Sequence, residues 1–114
     1  MKKIYNQKDK KLIIVEKDKI HQINIDQISY IRSESGLSSI KFVKLKNIHI
    51  SKPLTFFEKE LSNMGFIRSN RNELINCINI KEYIPNKKQI ILINNIVLNI
   101  SHRQAAKLKE FFST

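Results

Sequence analysis

The sequence predicts a mainly β, antiparallel fold with one short internal helix and a C-terminal helix. Three observations lead there. Ile, Val, Phe and Tyr recur in short runs separated by polar pairs, the texture of strands and turns. These runs do not alternate regularly with helices, as parallel βαβ units require. Two segments, residues 53–61 and 102–112, instead space their apolar residues for a helix.

Each element has its own signal. Residues 12–16 and 19–25 flank Lys17-Asp18, a tight turn. Residues 27–32 form a weakly alternating strand ending in a polar loop, Ser33-Glu34-Ser35-Gly36-Leu37-Ser38. Residues 39–45 begin with Ile40 and Phe42 on one face and switch to Val43 and Leu45, which predicts a bulge or strong twist. Lys46-Asn47 leads into 47–51, where Ile48 and Ile50 face in and His49 faces out. A helix over 53–61 aligns Leu54, Phe57 and Leu61, takes Pro53 in its first turn and stops at Met64-Gly65. Residues 66–76 read strand, polar loop, strand, and Cys77 follows in a strand-like run as a small buried hydrophobe. Residues 89–93 and 96–100 form a hairpin around Asn94-Asn95, a pair that tolerates positive φ. Ser101 caps the last helix, 102–112, with Gln104 in capping-box register and Leu108, Phe111 and Phe112 as its apolar face.

A chain of 114 residues with 41% hydrophobic content reads as one domain over 1–114, with 1–10 as a flexible lead-in. Two Gly and two Pro leave little room for linkers. No apolar run approaches the ~20 residues that span a bilayer. The start, Met1-Lys2-Lys3-Ile4-Tyr5, lacks the apolar core of a signal peptide. One cysteine cannot form an internal disulfide. The expectation is a reducing, cytoplasmic setting.

The net charge is +11, and it is segregated. No acid occurs between Ser35 and Phe57, where Lys41, Lys44, Lys46 and Lys52 lie. None occurs between Tyr83 and Lys109, which includes Lys87, Lys88, Arg103 and Lys107. Such segregation builds a basic face that attracts a polyanion. Lys41 differs in strand parity from Lys44 and Lys46, so the three have unequal roles unless a bulge intervenes. Enzyme signatures are missing. There is no Gly-rich phosphate loop and no Gly-x-Ser-x-Gly elbow. His21, His49 and His102 lie far apart without partners at metal spacing, and Glu58 and Glu60 diverge on their helix. The chain reads as neither an enzyme nor a binder of metal, cofactor or small-molecule substrate.

The segment Phe66-Ile67-Arg68-Ser69-Asn70-Arg71-Asn72-Glu73-Leu74-Ile75-Asn76 is the densest in chemistry. Two arginines and two asparagines precede its first acid, Glu73, on a loop between strands. Arg and Asn forks match the major-groove edges of guanine and adenine. Arg68 either fixes the loop or contacts phosphate, and Asn76 can hold a turn through side-chain to backbone bonds.

These residues resemble the LytTR domain, the β-rich DNA-binding output module of many bacterial response regulators. Lys19-Ile20-His21-Gln22-Ile23 and Asp26-Gln27-Ile28-Ser29-Tyr30-Ile31 look like its opening strands. Residues 51–61 are similar to its first helix, and Ile100-Ser101-His102-Arg103 to its late Ser-x-Arg element. Residues 66–76 match its motif Phe-x-Arg-x-His-Arg-Ser-x-hydrophobic-Val-Asn, except that Asn70 stands for the usual His and Asn72 for the usual Ser. Family members usually follow a phosphoacceptor receiver, which this sequence does not contain; a stand-alone member and a domain cut from a longer regulator both fit.

The resemblance implies an elongated stack of small antiparallel sheets whose edge loops enter successive major grooves. It makes Arg71 and Arg103 the leading contacts, and Ser38 and Ser39 a third region. Asn70, Asn72, Arg68, Lys41 and His102 complete the candidate set. The expected function is sequence-specific binding of double-stranded DNA in transcription regulation, with a second copy on repeated sites. Two alternatives remain at this point: an RNA- or single-strand-binding β module, and a basic protein-interaction module. The first needs exposed aromatics for stacking, whereas Phe42, Phe56, Phe57, Phe66, Phe111 and Phe112 fall mostly at core or helix-packing positions.

Overall fold

The computed structural model describes residues 4–5, by their backbone, and 10–113. Strands β1 (Ile4–Tyr5), β2 (Lys10–Glu16) and β3 (Lys19–Asn24) form one antiparallel sheet. A middle sheet contains β4 (Ile28–Glu34), β5 (Leu37–Phe42), β6 (Ile48–Ile50), β7 (Phe66–Asn70) and β8 (Glu73–Asn76), in the order β6-β5-β4-β8-β7. Helix α1 (Leu54–Glu60) joins β6 to β7. The third sheet pairs β9 (Ile80–Ile84), β10 (Gln89–Leu92) and β11 (Val97–Asn99), and α2 (His102–Phe112) follows. The extents are 46 × 34 × 24 Å, so the stack of small antiparallel sheets is elongated.

Strand parity explains the layering. Neighbouring residues on a strand point to opposite faces. Ile31, Leu74 and Phe66 enter a core with Leu12, Ile14, Ile23, Leu54, Phe57 and Leu61. Their neighbours Tyr30, Ile75 and Ile67 enter a second core with Ile90, Leu92, Leu98, Ile100 and Leu108. The middle sheet is therefore covered by the first sheet and α1 on one face, and by the third sheet and α2 on the other. This is why β4 and β8 read as near-continuous apolar runs rather than as clean alternation.

Two buried asparagines tie the layers together. Asn76 Nδ2 donates to the carbonyls of Ile25 and Ile28 at 3.1 and 3.0 Å. Asn79 Nδ2 donates to those of Asp26 and Ile28 at 3.0 and 2.7 Å. These bonds clamp a single 3-10 turn, Ile25–Gln27, between β3 and β4. Asn76 thus holds a turn. The Ser51 N–H donates to Glu16 Oε2 at 2.8 Å, joining the first sheet to the segment before α1 and holding the Glu16 carboxyl below its usual range.

Several sequence expectations need correction. The polar loop expected over 33–38 is only the turn Ser35-Gly36; both residues have positive φ, which suits a two-residue hairpin. The strand expected over 39–45 ends at Phe42, and the register irregularity falls on β4, between Ile28 and Tyr30. The strand expected over 19–25 stops at Asn24 because the asparagine clamp turns the chain there. Cys77 is buried as expected, but in the 3-10 turn Cys77–Asn79, where burial pushes its thiol up to about 12. Strand β9 had no clear signal. Pro53 occupies the N-cap of α1 rather than its first turn. Of the lead-in expected over 1–10, Ile4–Tyr5 and Lys10 are strand, and the rest lies outside the described residues.

The hairpin around Asn94-Asn95 formed, with φ of 66° at Asn95. Ser101 caps α2 and accepts from the Gln104 N–H at 3.2 Å, although Gln104 Oε1 makes no return bond. Leu108 is buried, whereas Phe111 and Phe112 lie at the rim, with Phe112 stacked on Tyr83 at 6.2 Å.

Asn76→Ala removes one buried donor from each of the Ile25 and Ile28 carbonyls, leaving Asn79 as the remaining side-chain donor to Ile28. It is expected to lower unfolding free energy by roughly 1–3 kcal/mol, read from denaturant melts. An unchanged midpoint and slope would remove the clamp from the account of stability.

Candidate nucleic-acid interface

Pairing in the middle sheet gathers its turns at one end. Arg32 of β4 lies opposite Glu73 of β8, and the two strands are antiparallel. The β4–β5 turn, Ser35-Gly36, and the β7–β8 turn, Arg71-Asn72, therefore share an end. The Ser33 N–H donates to the Asn72 carbonyl at 2.9 Å and joins the two hairpins. Helix α2 starts at the same end, where the Ser101 N–H donates to the Ser69 carbonyl at 2.7 Å.

A β-bulge then sorts the side chains flanking the Arg71 turn. Arg68 pairs with Leu74 and Asn70 with Glu73, so Ser69 is the extra residue. Without it, Arg68 and Asn70 would share a face. With it, Arg68 turns to α1 and Asn70 to the third sheet. Arg68 Nε donates to Glu58 Oε1 at 3.2 Å, and its Nη1 donates to the Arg71 carbonyl at 2.5 Å. Asn70 Nδ2 donates to Glu73 Oε1 at 2.9 Å and to the Asn99 carbonyl at 3.1 Å. Asn70 Oδ1 accepts from the Asn72 N–H at 2.8 Å. The turn backbone is thus held at the Arg71 carbonyl, the Asn72 N–H and the Asn72 carbonyl, while the Arg71 and Asn72 side chains are exposed.

Glu73 supports this arrangement from beneath. It is buried, and its Oε2 accepts from Arg32 Nε at 3.0 Å and also from Arg32 Nη2. The bond to Glu73 raises the Arg32 guanidinium above its ordinary value. Arg32 also lies 5.5 Å from the centre of the Tyr30 ring. The motif's one acid is therefore internal and neutralised, so it presents no repulsive charge beside Arg71.

The other candidates divide. His102 and Arg103 are exposed in the first turn of α2. A shallow depression lined by Glu58, Arg68, Asn70, Arg71, Ser101 and Arg103 brings the turn and the helix start together. Ser38 and Ser39 are corrected: they lie inside β5, which is flanked by β4 and β6, and are fully buried. Ser38 Oγ donates to the Lys52 carbonyl at 2.6 Å. Lys41 is half-buried on β5, and its Nζ meets Glu34 Oε2 at 3.3 Å, which holds the Glu34 carboxyl below its usual range. Lys44 and Lys46 are exposed beyond the last residue of β5, at the end of the sheet away from Arg71.

Sequence reasoning missed Arg32, Glu58 and Glu73. Only Glu73 carried a signal, as an acid directly beside a cationic turn. Among the described residues no group of three His, Cys, Asp or Glu could hold a metal ion, and no helix is long and apolar enough to cross a membrane.

Residues 18–113 match the model of the LytTr DNA-binding domain. The chain belongs to this family. The match includes the Arg71 turn, the Arg103 helix, β3 and the whole of the other two sheets, and leaves out β1 and β2. Over 107 residues this LytTr domain is 27% identical to the sensory transduction protein LytR of Staphylococcus saprophyticus, covering 90% of the chain and 42% of that protein. It therefore spans less than half the length of that relative. Its fold is also similar to a solved structure described as the LytTr DNA-binding domain of a methyl-accepting/DNA response regulator from Bacillus cereus. The TM-score is 0.74 at 17% identity, covering 91% of this chain and 97% of that one.

The Arg32–Glu73 pair carries an asymmetry that can be measured. Glu73 is the more buried partner, with its side chain 9% exposed against 41% for Arg32. Arg32→Ala strands a buried carboxylate, whereas Glu73→Gln leaves a guanidinium that water can reach. Arg32→Ala is expected to cost roughly 1–3 kcal/mol, and more than Glu73→Gln, in urea unfolding. The reverse ranking would mean that Glu73 matters through shape rather than charge.

Proposed function

We propose that this LytTr domain is the DNA-reading part of a bacterial, cytoplasmic transcription regulator. In this reading Arg71, Asn72 and Arg103 contact double-stranded DNA in the major groove. The supporting observation is the pinned turn: its backbone is fixed by internal hydrogen bonds, while Arg71 and Asn72 project into solvent beside Arg103. A pre-formed turn loses little conformational freedom on binding, so its contacts are not offset by ordering.

The roles follow from side-chain chemistry. The Arg71 fork matches guanine O6 and N7, and the Asn72 amide matches adenine N6 and N7. Arg103 likewise reaches a base edge, from a helix start whose free N–H groups also favour the adjacent phosphate. His102, the neighbouring exposed residue, can add a hydrogen bond to that contact. Exposed lysines supply attraction independent of sequence, and Lys41 contributes less because Glu34 holds it. Arg68 and Asn70 support the turn from inside. The domain acts without cofactor or small-molecule substrate, with a second copy on repeated sites, as the output part of a longer signal-transduction protein.

Selection of bound sites from random duplexes, followed by titration of variants, tests this reading. Arg71→Ala is expected to lose about 1–3 kcal/mol on the selected site and little on random duplex. Equal weakening on both would make Arg71 a phosphate contact. Arg103→Ala is expected to impair binding at nearly unchanged melting temperature. Ser101→Ala should instead cost about 0.5–2 kcal/mol of stability through loss of the cap. Early melting of Arg103→Ala with normal affinity once folded would assign Arg103 to the scaffold.

A further inference from the structure

We propose that Asn70 is a positioning residue that fixes the spacing between Arg71 and Arg103, so that the two address base pairs a set distance apart. The inference rests on the reading of Arg71 and Arg103 as DNA contacts, and it gives Asn70 a task other than touching DNA.

The geometry of the Asn70 amide is the starting point. Two of its partners are backbone groups with fixed roles: the Asn99 carbonyl only accepts and the Asn72 N–H only donates. The orientation of the amide is therefore determined without reference to Glu73. In that orientation Nδ2 also reaches Glu73 Oε1. Both heteroatoms of the side chain are engaged, and Asn70 is half-buried.

Each bond touches a different part of the reading apparatus. The bond from the Asn72 N–H to Oδ1 spans two residues and closes an Asx turn over Arg71, setting where Arg71 leaves the backbone. The bond to the Asn99 carbonyl reaches the last residue of β11, two positions before the Ser101 cap and four before Arg103. The adjoining Ser101 N–H bond to the Ser69 carbonyl doubles that seam. The bond to Glu73 ties the assembly to a carboxylate that Arg32 immobilises. One planar side chain thus links the turn, the start of α2 and the sheet beneath them. Because Nδ2 is shared between Glu73 and Asn99, the turn cannot shift along the sheet without breaking the link to the helix.

The variant N70S separates these functions. A serine hydroxyl can still accept from the N–H two residues on, but it is too short to reach Asn99 as well. The bases addressed by Arg71 and by Arg103 are first assigned from the preferences lost in R71A and in R103A during site selection. A duplex with one base pair inserted between the two subsites is then compared with the matched duplex. The insertion moves one subsite by about 3.4 Å along the axis.

The unsubstituted domain should reject the inserted duplex by roughly tenfold, the scale of one mismatched base contact. N70S, melting within a few degrees of it, should discriminate far less between the two duplexes. Discrimination by N70S equal to that of the unsubstituted domain overturns the inference. Equal loss on both duplexes overturns it too and makes Asn70 a direct contact. If R71A or R103A leaves base preference untouched, the underlying reading fails instead, and that failure is visible in the single variants alone.

Discussion

Burial of both faces of the middle sheet is the constraint on which the rest of the structure depends. A strand in such a sheet has no solvent side, so every residue of β4 from Ile28 to Ile31 is buried. Side chains of one parity fill the core beneath the first sheet and α1, and those of the other parity fill the core beneath the third sheet and α2. A slip of one residue would exchange the contents of both cores at once. The register of β4 against β8 is therefore strongly determined, and with it the end of the sheet at which the Arg71 turn emerges.

Electrostatics at that end follow from the packing. Glu73 is carried into the sheet by the register that seats Leu74 and Ile75, so its charge must be met inside, and Arg32 on the adjacent strand meets it. The same carboxylate holds Asn70. Charges that would otherwise cancel at the surface are consumed within the scaffold. Arg71 and Arg103 remain without an ion-pair partner among the described residues, beside a depression whose one acid, Glu58, is bonded to Arg68. Elsewhere the opposite holds, since Lys41 pairs with Glu34 and adds less to the basic field than its formal charge suggests.

The sequence made the fold class readable because its signals were local. Pro53 and the spacing of Leu54, Phe57 and Leu61 marked α1; Ser101 marked the start of α2; Asn94-Asn95 marked the last hairpin. What stayed hidden was set by distant partners. Ser38 and Ser39 matched a contact region of the family by position after the Tyr30 strand, yet β4 and β6 enclose them. The 3-10 turn at Ile25–Gln27 is held by Asn76 and Asn79, some fifty residues away. The cationic turn was legible as chemistry, but the division of labour within it was not. Arg68, Asn70, Arg71 and Asn72 are alike in composition, and only the bulge at Ser69, which sends Arg68 and Asn70 to different layers, and the turn that exposes Arg71 and Asn72 tell them apart.

That bulge also bears on how such a domain can diverge. Residues 71 and 72 can change identity freely, since the hydrogen bonds that shape the turn run through backbone groups at those positions. The number of residues cannot change so easily. Deleting or adding one residue on either side of the bulge would shift β7 against β8 by one position and turn the side chains beyond it to the opposite face. New target preferences in this lineage should therefore arise by point substitution at the tip of the turn, with insertions and deletions confined to loops that carry no such parity change.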